Sequence, residues 1–156
     1  MRVKFTPEES VRFADLSKKL CDDKDFCRMK EYVAHGSINV YQHSINVAKL
    51  AYLLKSRMKL KTDDRVLVEG ALLHDFYLYD WHDAEIGLSF SKLHGYTHPF
   101  TACKNAISYY GIDDSTQEVI RCHMWPLTLR SLPRSKEAIL VCIADKVCAL
   151  KETILR

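Results

Sequence analysis

The sequence predicts an all-α fold, a bundle of roughly six or seven helices. Apolar residues recur at helical spacing along almost the whole chain. Gly and Pro are scarce, 5 and 4 among 156 residues, too few for the turns of a sandwich or barrel. Polar caps stand where the periodic stretches begin. The length suits a single domain, residues 1–156, with an ordinary globular composition of 47% apolar and 28% charged residues.

The first helix is expected over 7–20. Thr6 caps it, Pro7 takes the first position, and Glu8 and Glu9 sit on the positive end of the dipole. Val11, Ala14, Leu16 and Leu20 supply its apolar side. A short helix over 25–34 ends near His35-Gly36, and residues 1–34 read as N-terminal helices packed on the rest. A helix over 40–56 carries a stripe of His43, Val47, Leu50, Ala51 and Leu54. Thr62-Asp63-Asp64 opens a helix through 75, with Leu67, Ala71, His74 and Asp75 on one side.

Residues 76–97, with Gly87, Ser89, Ser91 and Gly95, read as a loop with short turns, and His35 and His94, each followed by Gly, as turn residues. His98-Pro99 opens the next helix and Gly111 closes it. Ser115 and Glu118 have capping-box spacing for a helix over 116–124, which Pro126 ends. In the last helix, 136–154, Ala138, Val141, Asp145, Cys148 and Ala149 share a face.

The net charge of +3 is too small to mark a nucleic-acid binder. The polar start MRVKFTPEES has no apolar signal region, and the longest apolar run, around Ile139 to Ala144, is too short to span a bilayer. A cytoplasmic protein is expected. None of the six cysteines has Cys-x-x-Cys spacing, so free thiols are expected.

Polar groups interrupt the apolar stripes. In the stretch ALLHDFYLYDWH, His74 and Asp75 stand where Leu or Val would be expected. A carboxylate in an apolar setting needs compensation. His43 lies on a second such stripe and Asp145 on a third. Taken singly, each reads as a hydrogen-bonded core residue. Taken together, two imidazoles and two carboxylates from three helices can converge on one divalent cation. Nitrogen and oxygen ligands suit Fe, Mn, Zn, Ni or Mg. His98 and His123 extend the pattern to a second ion, with Asp75 bridging.

The order His43, His74-Asp75, Asp145 resembles the H…HD…D pattern of the HD superfamily of metal-dependent phosphohydrolases, over about residues 35–152. The added histidines, in LHGYTHP and IRCHMWP, resemble its binuclear subset. The resemblance implies an all-helical fold and hydrolysis of a phosphate ester or anhydride in a small nucleotide-type substrate by metal-activated water. It implies metal ligands at His43, His74, Asp75, His98, His123 and Asp145. Phe76-Tyr77-Leu78 follows the HD pair, where many cyclic-dinucleotide enzymes have Ile-Gly-Lys.

Around these positions, Asp80, His82 and Asp83 are candidates for acid–base help, Asp80 foremost. Lys146, next to Asp145, joins Asp75 and Asp80 as a catalytic candidate. Arg121, Arg130, Arg134 and Lys104 are candidates for binding substrate phosphate. Trp81 and Trp125 suit either base stacking or packing around a metal site. Two other readings stand beside the hydrolase: a non-catalytic HD-fold module that binds a nucleotide or metal, and a helical domain with one structural metal.

Overall fold

The structure, a computed structural model, describes residues 4–80 and 88–154, with side chains outside 88–93. It is an all-α bundle of helices α1 (Pro7–Cys21), α2 (Lys24–Cys27), α3 (Val40–Arg57), α4 (Asp64–Leu73), α5 (Leu88–Tyr110), α6 (Asp114–Cys122) and α7 (Lys136–Ile154). A 3-10 turn, Arg28–Glu31, follows α2, and a small antiparallel hairpin, β1 (Val33–His35) and β2 (Ile38–Asn39), precedes α3.

Helix α4 is the centre of the bundle. All its residues from Val66 to Leu73 are buried except Glu69, which is half-buried. A helix apolar on every side must be covered on every side. Helices α1, α3, α6 and α7 do this. The approach of α6 is close: a Cβ on Gly70 would lie 2.6 Å from Val119 Cγ1 and 2.8 Å from its Cβ. The other end of α4 is tied by buried Asp64, which takes Arg12 Nε of α1 and Lys55 Nζ of α3, each at 2.8 Å. Burial opposes the charge on Asp64, but these cations and Thr62 hold its pKa below the ordinary carboxylate value.

The capping expectation holds at α1, where Thr6 Oγ1 accepts from Glu9 N at 3.2 Å and Glu9 Oε2 accepts from Thr6 N at 2.8 Å. The buried face of α1 differs from the expected one. It is Phe13, Ser17 and Leu20, flanked by Leu16, while Val11 is 63% exposed and Ala14 is exposed. The 25–34 segment divides into α2, the 3-10 turn and β1, because Gly36 at φ +58° turns the chain into a hairpin.

Two further expectations are corrected. Residues 88–97 are helical, so His94 lies in a helix and Pro99 sits inside α5 rather than opening it. The cap of α6 is Asp113, whose Oδ1 accepts from Thr116 N at 2.9 Å. Glu118 instead reaches across the fold and accepts from Arg134 N at 2.8 Å and Ser135 N at 3.1 Å.

Candidate metal centre

Helix ends build the centre. His74 follows the last residue of α4 and His123 follows the last residue of α6. Carbonyls in the last turn of a helix have no intrahelical donor. Each ring supplies one: His74 Nδ1 donates to Ala71 O and His123 Nδ1 to Ile120 O, both at 2.7 Å. In α5, His98 Nδ1 donates to His94 O at 2.7 Å. In α3, His43 Nδ1 donates to Glu152 Oε2 of α7 at 2.7 Å. These partners assign the tautomers. All four imidazoles therefore turn Nε2 toward the same space.

The carboxylates meet them there. Asp75 Oδ2 lies 3.5 Å from His74 Nε2 and 3.9 Å from His43 Nε2. Its Oδ1 lies 3.2 Å from His98 Nε2 and 3.6 Å from His123 Nε2. Asp145 Oδ1 is 3.1 Å from His43 Nε2 and 3.7 Å from His74 Nε2. All six residues are buried. The six residues expected as ligands are thus brought together, with one oxygen of Asp75 facing each imidazole pair.

The arrangement fits divalent cations. Asp75 Oδ1 and His74 Nε2 are buried without a hydrogen-bond partner, although His98 comes within 3.2 Å of that oxygen. His98 Nε2 and His123 Nε2 face each other at 2.8 Å. With both Nδ1 atoms donating, two neutral rings would oppose lone pair to lone pair, and a cation resolves this. Three triads have ligand atoms close enough to hold an ion: His43, His74 and Asp75; His74, His123 and Asp145; and Asp75, His98 and His123.

Electrostatics point the same way. Burial alone would lower the His43 pKa, but Asp145, Glu152 and Asp75 outweigh it and raise it to about 10. His74 also rises against its burial, through Asp75 and Asp145. Burial opposes the charge on Asp75 and Asp145, but the surrounding imidazoles hold both pKa values well below the ordinary carboxylate range. Burial, with His74 and His98 nearby, pushes His123 down to about 3, so its lone pair is available near neutrality. A proton and a metal ion compete for the same nitrogens.

Glu152 was not among the residues expected from the sequence. It sits two helical turns after Asp145 on α7 and is held on both oxygens, by His43 Nδ1 and by Asn46 Nδ2 at 2.8 Å. A carboxylate behind a ligating imidazole fixes the ring and strengthens it as a donor. The i, i+7 spacing from Asp145 was the available signal. His94 was also missed. It is buried, stacks on His98 at 4.5 Å, and its Nδ1 lies 2.9 Å from Tyr79 Oη.

A cavity of about 640 Å³ opens on Asp75, His98, His123 and Asp145. Lys146 lines it, with Nζ donating to His123 O at 2.8 Å and to Cys142 O at 3.3 Å. Arg121, Arg130, Arg134 and Lys104 are exposed and do not line it. Arg121 instead donates to Gln117 Oε1 at 3.1 Å. Asp80 is exposed and also outside the lining. Trp125 is half-buried between the lining residues Met124 and Pro126. Trp81, His82 and Asp83 lie outside the described residues.

Among the described residues, no helix is long and apolar enough to cross a membrane. Comparison with curated proteins gives no match, and comparison with solved structures gives none. The family model described as HD domain matches residues 40–150, which include all six residues around the centre. The chain therefore belongs to the HD domain family, in general one of metal-dependent hydrolases.

Proposed function

We propose that the protein is a binuclear metal-dependent phosphohydrolase that cleaves a phosphate ester or anhydride in a small nucleotide-type substrate. The supporting observation is Asp75, buried between two imidazole pairs with one oxygen toward each. His43, His74, Asp75 and Asp145 would hold one ion. His98 and His123 would hold the other, with Asp75 shared. Divalent ions there supply Lewis acidity toward a phosphoryl oxygen and lower the pKa of water.

The chain's own residues do the remaining work. The four Nδ1–H bonds lock each ring before substrate arrives, so no reorganisation is needed during the reaction. Lys146 is held at the cavity by His123 O, Cys142 O and Cys142 Sγ, and its positive charge would attract a phosphoryl group bound there. Asp80 stands outside the lining, so a proton from it would travel through water. Lys104, Arg121, Arg130 and Arg134 lie outside the lining, so their charges would reach substrate only through the long-range field of the protein.

The test is phosphate release from a panel of phosphate esters and anhydrides by protein reconstituted with Mn or Fe. Asp75→Ala is expected to lose both ions and all turnover. An Asp75→Ala protein that kept its full metal content would overturn the site assignment.

A further inference from the structure

The walls of the cavity are unlike its floor. The floor is the polar centre. The described walls are formed largely by Ala34, Tyr77, Met124, Pro126, Leu127 and Ala149. Tyr77 is 3% exposed, whereas Leu127 is 44% exposed, so the apolar surface runs from the buried floor to the rim. Leu127 packs closely over Gly95, where a Cβ would lie 3.1 Å from Leu127 Cδ2.

Away from the two ions proposed at the floor, positive charge is limited in the same space. Lys146 is the only Lys or Arg among the described lining residues. A nucleoside triphosphate or other polyphosphate brings several charges along an extended chain, and each phosphate needs cations beside it. The residues that could have served, Arg121, Arg130 and Arg134, lie outside the cavity.

We infer that the cavity selects a phosphomonoester: one phosphoryl group on the polar floor beside Lys146, and a flat or compact apolar group against the walls. This rests on the phosphohydrolase reading. Hydrolysis then adds water across one P–O bond and releases inorganic phosphate and the alcohol, whose apolar body the walls hold. The apolar group could be a nucleobase face or an aryl group, since both offer the surface these walls complement.

The test compares kcat/KM of the metal-loaded protein for 1-naphthyl phosphate, adenosine monophosphate, glycerol 3-phosphate and adenosine triphosphate. At least one of the first two is expected to exceed glycerol 3-phosphate by about tenfold or more, as burial of a ring provides. Which one leads tells aryl from nucleoside. Leu127→Asp is expected to reduce that ratio, mainly through KM. Turnover of glycerol 3-phosphate or the triphosphate as fast as the best apolar monoester would overturn the inference and leave the hydrolase reading standing.

Binding separates the two claims if nothing is turned over. Calorimetry would then compare 1-naphthylmethylphosphonate with methylphosphonate on the same protein. Tighter binding of the naphthyl compound by about tenfold would support the pocket inference and reject hydrolysis of these monoesters. Equal binding would reject the pocket inference as well.

Discussion

Replacing Glu152 with Ala tests how the fold supports the proposed metal centre. The substitution removes two hydrogen bonds, from His43 Nδ1 at 2.7 Å and from Asn46 Nδ2 at 2.8 Å, and leaves every proposed ligand in place. Loss of a carboxylate behind a ligating imidazole typically weakens metal binding about 10–100-fold. That range is about 1.4–2.8 kcal/mol. The other three rings lean on backbone carbonyls, which the substitution does not touch.

The loss should therefore fall on the ion held by His43, and the His98–His123 ion should change far less. Glu152→Gln can still accept one hydrogen bond but brings an NH₂ that competes with Asn46, so an intermediate loss is expected. The assay is competition with a chromophoric chelator, titrating the two ions separately. Binding within about twofold of the parent protein, or equal weakening of both ions, would refute the reasoning.

Further predictions follow from the same geometry. Metal affinity should rise with pH from about neutral toward 10, because binding at His43 displaces a proton held there with a pKa of about 10. The metal-free protein should show the opposite trend. A folded pKa raised from 6.5 stabilises fully below 6.5 and ceases to do so as pH climbs through 10, so its melting temperature should fall over that window. Asp75 and Asp145, both lowered from 3.8, add stability above 3.8 that is lost in acid; a melting temperature flat from pH 6 to 10 would contradict this account. Gly70→Ala should destabilise by about 1–3 kcal/mol, because its Cβ meets branched Val119 at 2.6 Å, as urea denaturation would show. Asp64→Ala should cost about 1–3 kcal/mol by the same assay, since Arg12 and Lys55 lose their shared partner, while the distant metal ions stay bound.

Helical periodicity made most of the fold legible. α7 matches its expected bounds, and α3 and α4 are within a residue or two of theirs, because their apolar spacing is strong and their neighbours reinforce it. The failures are local. A Pro at position 99 and Gly and Ser before it suggested a helix start and a loop, but packing against α6 sustains α5 through the Pro. A capping-box spacing at Ser115 and Glu118 was outweighed by Asp113, whose carboxylate caps the helix two residues earlier. Val11 was assigned to the apolar face of α1 from its type alone, and the helix turns Phe13 inward instead.

The centre was legible because charge in an apolar stripe is costly and therefore conspicuous. His43, His74, Asp75, His123 and Asp145 each interrupt such a stripe or end a helix beside one, whereas His98 was expected at a helix start and lies inside α5. Glu152 was hidden because it lies in the polar-looking last turn Lys151-Glu152-Thr153, where an acid is unremarkable. His94 was hidden by the Gly that follows it. The basic residues misled in another way: Arg121, Arg130 and Arg134 are near the centre in sequence, but their exposed side chains stand outside the cavity. Proximity in sequence carries no direction, whereas position on the buried face of a helix does.

The central claim is that Asp75 is shared between two metal sites. Metal content measured on protein purified without chelator, beside His98→Ala, tests it most directly. The account predicts about two transition-metal ions per chain, falling to about one in the variant, with the ion at His43, His74, Asp75 and Asp145 retained. One ion in both proteins would contradict it and reduce His98 and His123 to core histidines.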